Sequence, residues 1–348
     1  MSTPSTAPVG VIGAGSFGTA IANLLAPNTP VMIYARNPKR VVAINKREEA
    51  YGVTLPANVI ATNDLAEIAE QCRLLFPVVP SAAFRGLMRD MAPYLHPYHL
   101  MIHATKGFDL NGVRVEDIEQ EGINRSNVST MSEVILQETV VARIGCLSGP
   151  NLAREILEGQ PTATLIASKY DEVVRAGKDV LASPVFHVFG SPDLLGAELA
   201  GALKNTIALG SGMLKGYGLG KNIQAMLITR GLSEMIHYGK AMGADVSAFL
   251  GTAGIGDLIA TATSRKSRNY TFGFRIGSGE SLEDVQNSEE ELAEGLRSLQ
   301  ITRHLAKSYR LRAPITEMLY RIVFKGFPIE EAMHYLMTFP YDVDVDFI

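Results

Sequence analysis

The sequence predicts an α/β Rossmann-like N-terminal domain followed by an all-helical C-terminal domain. Across residues 9–192, short apolar or β-branched runs alternate with segments of helical period, as in repeated βαβ units. A glycine-rich motif directly follows the first of these runs. From residue 193 onward, small and apolar residues recur at helical spacing and strand signals almost disappear. The length of 348 residues also favours two domains over one.

Seven strands are predicted in the N-terminal domain, and helical segments lie between most of them. The predicted strands are Val9–Gly13, Pro30–Tyr34, Arg73–Val79, Leu100–Ala104, Ala142–Cys146, Thr162–Ala167 and Phe186–Phe189. The nearly continuous apolar run from Leu74 to Val79 is typical of a parallel strand buried on both faces. Its Pro77 has no N–H to donate, so we expect this residue at a strand end or a sheet edge.

The remaining segments complete the predicted organisation. Residues 1–8 have neither the basic nor the apolar region of a signal peptide and are expected to form a short disordered arm. Residues 193–340 form the predicted helical domain, within which the glycine-rich stretch 210–220 is expected to connect two helices. The acidic tail 341–348 has no predicted function, and no apolar run has the length needed to cross a membrane.

Composition and charge narrow the possible classes of function. The net charge of −4 and pI near 6.0 provide no overall basic field, so we expect no nucleic-acid partner. The only cysteines, Cys72 and Cys146, form no CxxC pair, which argues against a disulfide framework or a zinc cluster and favours the cytoplasm. His96, His99 and His103 lack a cysteine or acidic partner, so we expect surface or strand residues and no metal site.

The glycine motif Gly13-Ala-Gly15-Ser-Phe-Gly18 follows a predicted strand and begins a predicted helix. In dinucleotide-binding domains the first glycine of G-x-G-x-x-G permits a tight turn, and the second lets the backbone approach the pyrophosphate. The third lets the helix pack closely on the strand, while the helix N-terminus faces the anion. A lone motif of this kind also occurs in surface loops, but the surrounding βα alternation favours dinucleotide binding here.

Cofactor preference is predicted from the end of the second strand, where NAD-specific domains usually carry an acidic residue that binds the ribose 2′-hydroxyl. This chain has Arg36 there, and a guanidinium would pair with a 2′-phosphate. The cofactor is therefore predicted to be NADP or NAD, with NADP favoured. Lys39 and Arg40 are expected to be solvated helix residues.

Three polar groups interrupt apolar surroundings in the rest of the chain. Lys106 and the segment 148–151 each follow a predicted strand, at the edge where doubly wound sheets bind ligands. Lys204 and Asn205 lie within an otherwise small and apolar helix. A lysine in such a helix is paired, functional, or extended toward solvent.

Together these motifs resemble the bacterial glycerol-3-phosphate dehydrogenase [NAD(P)+] family over nearly the whole chain. The resemblance rests on Gly13–Gly18, Val78–Ser81, Ala104–Gly107, Ser148–Pro150, Leu203–Asn205, Leu227–Met235, Gly254–Leu258, Ser267–Asn269 and Glu294–Gly295. It implies reversible reduction of dihydroxyacetone phosphate to sn-glycerol 3-phosphate, which supplies glycerophospholipid synthesis.

The resemblance also implies roles for individual residues. Lys204 takes the position of the general acid and base. The implied substrate-binding residues are Lys106, Gly149, Asn151, Lys204, Asn205, Asp257, Thr261, Arg268 and Asn269. The implied cofactor-binding residues are Gly13, Gly15, Ser16, Phe17, Gly18, Arg36, Lys106, Ala153, Arg268, Leu292 and Glu294. The sequence departs from the family at Asn151, where many members have Thr, and at His103, where an aromatic residue is common.

These residue types suit the implied chemistry. One lysine can take the C2 hydroxyl proton and return it, because burial and a neighbouring cation disfavour its charge while Asp257 would restore it. A planar Arg268 guanidinium and the Asn269 amide suit phosphate oxygens. Taken alone, Arg268 would be a solvated loop charge and Asp257 a helix N-cap.

The chain is also expected to form a homodimer, in which the helical domains of the two copies pair.

Two other functions remain open from the sequence. One is a different dehydrogenase with a Rossmann domain and a long-helix domain, acting on a hydroxy acid or a sugar acid; the Ser267–Asn269 phosphate motif argues against it. The other is a non-catalytic redox sensor or binding module that keeps the Rossmann domain and has lost the chemistry. The joint presence of Lys106, Lys204, Asp257 and Arg268 argues against that second possibility.

Overall fold

The computed structural model describes residues 7–288, 294–340 and 343, and the chain folds into two compact units. The first unit consists of Met1–Asp109 and Thr130–Leu194, and the second of Leu110–Ser129 and Leu195–Ile348. The segment Leu110–Ser129 therefore leaves the first unit and packs with the second. A single boundary after residue 192 does not describe this division, because that segment lies within the range 9–192.

The first unit is built on one eight-stranded sheet. Its strands are β1 Val9–Ile12, β2 Val31–Tyr34, β3 Val59–Thr62, β4 Leu74–Pro77, β5 Leu100–His103, β6 Arg143–Ser148, β7 Thr162–Ser168 and β8 Phe186–Ser191. Their order is β3-β2-β1-β4-β5-β6-β7-β8, and all neighbours are parallel except the antiparallel pair β6 and β7. The order reverses between β1 and β4, which is the switch point where doubly wound sheets bind ligands.

All seven predicted strands are present, with ends that differ by no more than two residues from those predicted. Pro77 closes β4, as expected for a residue without an N–H. The prediction missed β3, which pairs with β2 at the edge of the sheet and exposes Ile60 to solvent. As an edge strand, β3 is paired on one side only and lacks the fully buried apolar character of the central strands.

Alternate residues of the central strands enter two hydrophobic clusters, so the sheet is buried on both faces. Val9, Val11 and Phe76 belong to one cluster, whereas Ile12 and Leu75 belong to the other. The helices of this unit are α1 Ser16–Leu25, α2 Pro38–Asn45, α3 Leu65–Gln71, α4 Ser81–Met91, α6 Met131–Glu138, α7 Ala153–Leu157 and α8 Asp171–Leu181. The unit ends at Leu194, where the first long helix of the second unit begins.

The described residues of the second unit form helices joined by loops and no named strand, and the predicted helical character of residues 193–340 is confirmed for those that the structure describes. The unit contains α5 Ile118–Glu121, α9 Leu194–Gly216, α10 Lys221–Met242, α11 Ser247–Leu250, α12 Asp257–Thr263, α13 Arg268–Gly277, α14 Leu282–Ser288, α15 Glu294–Tyr309, α16 Pro314–Lys325 and α17 Ile329–Thr338. Among the described helices of the whole chain, none combines the length and the hydropathy of a membrane span.

The prediction that residues 210–220 connect two helices was wrong for most of that stretch. Helix α9 continues through Gly210 and Gly212 to Gly216, and only residues 217–220 join it to α10. A Cβ at Gly212 would lie 2.0 Å from the carbonyl oxygen of Tyr270, and one at Gly216 would lie 2.0 Å from that of Phe274. These glycines are therefore helical residues that allow a second helix to approach closely.

Glu119 on α5 supplies polar contacts between Leu110–Ser129 and the rest of the second unit, beside the buried Ile118 and Ile123. Its carboxylate lies 3.4 Å from Arg303 on α15 and 3.5 Å from Lys325 at the end of α16, and it also accepts a hydrogen bond from Tyr320. The Tyr320 bond and these cations lower the pKa of Glu119. Two partners of Glu119 lie 184 and 201 residues away in the sequence, so no local pattern predicts that this segment packs with the second unit.

The three histidines of residues 96–103 are not all where they were expected. His103 lies in β5, as predicted, but His99 is fully buried outside any strand. The ring of His99 bonds through Nε2 to the Ala69 carbonyl and through Nδ1 to the backbone of His96. Its hydrogen-bonding capacity is thus used internally, and no metal-binding group of three or more His, Cys, Asp or Glu occurs among the described residues.

Candidate active site

The glycine-rich turn after β1 requires glycine at its first and last motif positions. Gly13 has a φ of 122°, and a Cβ there would lie 2.2 Å from the Val78 carbonyl oxygen. A Cβ on Gly18 would lie 1.8 Å from the Gly13 carbonyl oxygen. The motif therefore folds α1 tightly against the turn, as the spacing of the glycines predicts.

The N-terminus of α1 is open for an anion. Gly15 is the N-cap, no side chain caps the helix, and the first turn contains no acidic residue. The first two helical residues, Ser16 and Phe17, are half-buried, and their backbone N–H groups lack partners within the helix. The positive end of the helix dipole and these donors fit a dinucleotide pyrophosphate.

Two arginines follow β2, and they occupy different surroundings. Arg36 is exposed just beyond the strand, whereas Asn37 caps α2 by accepting from the backbone N–H of Lys39. The expectation of a solvated Arg40 was wrong. Its guanidinium lies over the Tyr51 ring at 5.1 Å from the centroid and donates to Thr19 Oγ1 at 3.4 Å. This edge of the sheet therefore carries two cations, one exposed to solvent and one held against α1.

The carboxyl ends of β5 and β6 bring Lys106 to the loop that contains Gly149. Lys106 Nζ donates to the Gly149 carbonyl oxygen at 2.8 Å, and Gly149 has a φ of 137°. Asn151 Nδ2 donates to Thr164 Oγ1 at 2.8 Å. Ala153 begins α7 immediately after this loop. Because β5 and β6 are parallel, both loops lie at the same edge of the sheet as Gly13.

Two buried polar atoms in this loop have no hydrogen-bond partner among the described residues: Ser148 Oγ and Asn151 Oδ1. Buried polar groups are usually hydrogen-bonded, so an orphaned pair beside a lysine indicates a place for water or a polar ligand. The sequence prediction included Asn151 but not Ser148. The burial of a hydroxyl at a strand end could not be read from its residue type.

In the second unit, Lys204 is buried on α9 within a compact polar group. Its Nζ lies 3.0 Å from Asp257 Oδ1 and also donates to Thr261 Oγ1. Thr261 Oγ1 donates in turn to Asp257 Oδ1 at 3.1 Å. The side chains of Lys204 and Asp257 are only 7% and 2% exposed, so this is an internal ion pair and not a surface one.

The local fold explains how Asp257 reaches this position. A π-helical turn, Thr252–Gly256, directly precedes α12, and Asp257 is the first residue of that helix. Thr261 follows one turn later on the same face. Asp257 is thus used for a contact with α9, whereas its position at the start of a helix alone would predict an N-cap. Burial favours the neutral amine of Lys204 and the carboxylate favours the ammonium, so Nζ is placed where a proton can be held or released.

Asn269 forms a second polar group in the same unit. Its Nδ2 donates to Asn205 Oδ1 at 2.9 Å, and its Oδ1 accepts from the backbone N–H of Gly295 at 2.9 Å. Arg268 is exposed at the first position of α13, and Glu294 is half-buried at the first position of α15. The remaining predicted cofactor residue, Leu292, lies outside the described residues.

Comparisons with known proteins agree with both units. A family model described as NAD-dependent glycerol-3-phosphate dehydrogenase N-terminus matches residues 8–174, and the corresponding C-terminus model matches residues 193–334. The chain is 39% identical to glycerol-3-phosphate dehydrogenase [NAD(P)+] of Pseudomonas putida, over 98% of this chain and 97% of the relative. It is 38% identical over the same shares to the enzyme of that name from Azotobacter vinelandii.

The chain belongs to the NAD-dependent glycerol-3-phosphate dehydrogenase family. A solved structure of glycerol-3-phosphate dehydrogenase from Coxiella burnetii is 29% identical, with a TM-score of 0.85 over 96% of this chain and 99% of that one. The resemblance inferred from separated motifs is thereby confirmed, as is the α/β Rossmann-like domain with a helical region after it. Membership also makes the chain an oxidoreductase that uses NAD or NADP.

Within this family fold, the predicted residues form separate groups in each unit. The first unit holds the glycine turn and the Lys106 loop, and the second holds the Lys204 group and the Asn269 group. Gly295 was predicted only as part of a motif. Its backbone N–H orients Asn269, and a Cβ there would lie 2.9 Å from both Asn205 O and Asn269 Oδ1.

Proposed function

We propose that this chain catalyses the reversible reduction of dihydroxyacetone phosphate to sn-glycerol 3-phosphate, with Lys204 as the general acid and base. The observation that carries the proposal is the buried Lys204 Nζ, held 3.0 Å from Asp257 and bonded to Thr261. An ionisable amine in an apolar helix is costly to bury, and a proton-transfer role accounts for it.

The first unit binds the dinucleotide. Gly13, Gly15 and Gly18 shape the turn, while the N-terminal N–H groups of Ser16 and Phe17 face the pyrophosphate. When bound, NADPH or NADH supplies the hydride in the direction of reduction. Arg36 pairs with a ribose 2′-phosphate, and on this ground the preferred cofactor is NADP. Ala153, Glu294 and Leu292 are further contacts proposed from the family resemblance.

Lys204 acts at the substrate oxygen on C2. In reduction it donates a proton to the carbonyl oxygen as that atom gains negative charge, and in oxidation it accepts the proton of the hydroxyl group. Asp257 and Thr261 hold the amine in place and favour its charged form before the proton leaves. The same residue can serve both directions because it regains a proton from solvent after each reduction and releases one to solvent after each oxidation.

Recognition of the substrate phosphate falls to Arg268 and Asn269. A guanidinium fork and an amide N–H provide directional donors to phosphate oxygens. Asn269 Nδ2 already donates one hydrogen to Asn205, which leaves its second hydrogen for an oxygen of the ligand. Lys106, Gly149 and Asn151 supply the other proposed contacts, and the orphaned Ser148 Oγ and Asn151 Oδ1 are available to substrate hydroxyls.

Three proposals concern the protein in the cell. The enzyme operates in the cytoplasm, since its buried cysteines are free thiols. It supplies sn-glycerol 3-phosphate for glycerophospholipid synthesis, as the family resemblance implies. It forms a homodimer, which a mass measurement in solution by light scattering tests: a monomer at micromolar concentration contradicts this last proposal.

The activity is tested by following NADPH absorbance with a panel of carbonyl substrates. Dihydroxyacetone phosphate should be reduced, whereas glyceraldehyde 3-phosphate and 2-oxo acids should give little or no rate. Faster reduction of a 2-oxo acid would instead favour the hydroxy-acid dehydrogenase alternative. NADPH binding with no turnover of any substrate would favour the non-catalytic sensor.

A further inference from the structure

Helices α9 and α13 touch through their backbones along one line of glycines. A Cβ on Gly273 would lie 1.9 Å from the Leu209 carbonyl oxygen, and one on Gly277 would lie 2.1 Å from that of Met213. From the opposite side, Gly212 and Gly216 approach the Tyr270 and Phe274 carbonyl oxygens equally closely. Each helix thus carries two glycines four residues apart, the spacing that lets helix backbones approach.

The contacts of Gly273 and Gly277 and the Asn205–Asn269 hydrogen bond all join residues of α9 and α13 that are the same number of positions apart in the sequence. Asn269 bonds to Asn205, 64 residues earlier, and the contacts of Gly273 with Leu209 and of Gly277 with Met213 have the same separation. A constant separation means that the two helices run parallel and in step for two turns. The glycines therefore continue the line on which Asn205 and Asn269 meet.

The amide of Asn269 is held at both of its atoms. Nδ2 donates to Asn205 Oδ1 on α9 and Oδ1 accepts from Gly295 N–H on α15, each at 2.9 Å. The two bonds leave one amide hydrogen and fix its direction. A displacement of α13 along α9 would break the first bond or turn that hydrogen away.

We propose that Gly273 and Gly277 are positioning residues that set the register of Arg268 and Asn269 against Lys204 and Asn205. The inference deepens the proposed function, on which it rests, because it assigns the geometry of phosphate recognition to glycines that touch no ligand. A methyl group at Gly273 needs more than about 1 Å of extra space to reach an ordinary van der Waals distance from the Leu209 oxygen. This space is created when helix α13 moves away from α9, and Asn269 moves with α13.

The test compares Gly273→Ala with Gly239→Ala. Both substitutions place a methyl group in a buried helix contact of the second unit, but Gly239 packs against the Phe249 ring and not against α13. Gly273→Ala should raise the KM for dihydroxyacetone phosphate about fivefold to tenfold, as expected for the loss of an oriented hydrogen bond. The kcat should fall less, since Asp257 and Thr261 on α12 continue to hold Lys204. The Kd for NADPH should stay unchanged.

Gly239→Ala should lower Tm while leaving this KM within about twofold of wild type, as expected for a site outside the proposed register. The effect of Gly277→Ala on KM should have the same sign as that of Gly273→Ala and be smaller, because Gly277 lies two turns from Asn269. Equal rises in KM for Gly273→Ala and Gly239→Ala would overturn the proposal, since general loosening of the unit would then explain both.

A double-mutant cycle separates positioning from simple destabilisation. If Gly273 acts through the Asn205–Asn269 contact, Gly273→Ala should raise KM little further in an Asn205→Ala background. If the rise in KM of the double variant equals the product of the rises in the two single variants, the proposal is overturned. Should Gly273→Ala fail to fold, the same cycle with Gly277→Ala decides the question. Wild-type enzyme that does not reduce dihydroxyacetone phosphate defeats the proposed function itself, whereas an active wild type with an unchanged KM in Gly273→Ala defeats only this inference.

Discussion

The two units of this protein present polar groups by different physical means. In the first unit, the glycine turn and the Lys106 loop lie at strand ends, and the proposed pyrophosphate donors are the backbone N–H groups at the N-terminus of α1. In the second, Lys204 and Asn269 are buried on helices, and each is held by side chains from other helices. Backbone N–H groups at a helix N-terminus need no partner within the helix, whereas a buried helical side chain needs partners that satisfy it.

This contrast separates the consequences of substitution in the two units. Backbone recognition after β1 depends on space, so a methyl group at Gly13 or Gly18 is excluded by the carbonyl oxygens nearby. In the helical unit, the roles proposed for Lys204 and Arg268 depend on charge, so a neutral replacement of similar size should keep most of the packing and remove the proposed chemistry. Substitutions of charged residues in each unit therefore test whether the two units contribute to binding and catalysis in these different ways.

The largest effect is expected at Lys204. Lys204→Met keeps a similar length but cannot carry a proton, so kcat should fall by about 10²–10⁴ while NADPH still binds. Lys106→Met, in the first unit, should raise the KM for dihydroxyacetone phosphate as well as lower kcat, because Lys106 is proposed to bind substrate. Steady-state kinetics across pH with both variants measures the difference.

The reverse result would exchange the two roles. If Lys204→Met keeps a near-normal kcat while Lys106→Met loses the pH dependence of the rate, the general acid and base is Lys106. The Lys204–Asp257 pair would then be a structural ion pair of the helical unit, and proton transfer would belong to the strand-end group.

The next largest effect is expected at Arg268. Loss of a charge-assisted hydrogen bond costs about 1.5–3 kcal/mol, or roughly 10- to 150-fold in kcat/KM for dihydroxyacetone phosphate. Dihydroxyacetone, which lacks the phosphate, should be affected little by Arg268→Ala. Arg265→Ala is the matched control, because Arg265 is an exposed arginine in the same segment that stacks over Phe274. Equal losses with both substrates would make Arg268 structural.

A smaller effect is expected in the first unit at Arg36. Arg36→Asp should raise the KM for NADPH about tenfold and change that for NADH much less, since a carboxylate repels the 2′-phosphate and can accept from a 2′-hydroxyl. Lys39→Asp makes the same change in charge three residues away, on an exposed position of α2, and controls for the general field. If both cofactors lose affinity alike in Arg36→Asp, the 2′-phosphate is bound elsewhere, with the half-buried Arg40 as the first residue to examine.

The same contrast explains how much of the molecule the sequence predicts. Seven strands and the glycine turn follow from periodicity and spacing, because parallel strands are apolar on both faces and the turn has a fixed motif. Edge strand β3 is paired on one side only and exposes Ile60, so it lacks the fully buried apolar pattern of the central strands. The contacts that join Leu110–Ser129 to the helical unit include those of Glu119 with residues far along the chain, which no local pattern encodes.

In the helical unit, the residue types of the site could be predicted, but their contacts could not. Lys204 stands out as a cation in an apolar helix, and the family resemblance adds Asp257, Thr261 and Asn269. The glycines from 210 to 216 favour a loop by local propensity, yet all lie within α9, and Gly212 and Gly216 pack closely on α13. Local propensity therefore gives the wrong prediction here, because the close packing of α9 on α13 requires residues without a side chain.

The smallest expected effect concerns Glu234, a buried carboxyl of the helical unit that lies outside the proposed chemistry. It accepts hydrogen bonds from the backbone N–H groups of Ile315 and Thr316 and from the Thr316 hydroxyl, at the N-terminus of α16. Burial raises its pKa to about 7, against the opposing effect of those bonds. Between its unfolded pKa and about 7 the folded state binds more protons, so the contribution of Glu234 to stability falls as pH rises through this window. The positive end of α16 favours the carboxylate and limits the size of the effect.

Urea unfolding should therefore reveal the titration of Glu234 when wild type is compared with Glu234→Gln. Relative to the variant, the stability of wild type should increase by on the order of 1 kcal/mol when the pH is lowered from about 7.5 to 5.5. The Gln variant is the matched control because it cannot titrate in this range. A difference that stays constant with pH would mean that the α16 N-terminus keeps Glu234 ionised, as an ordinary helix-capping carboxylate.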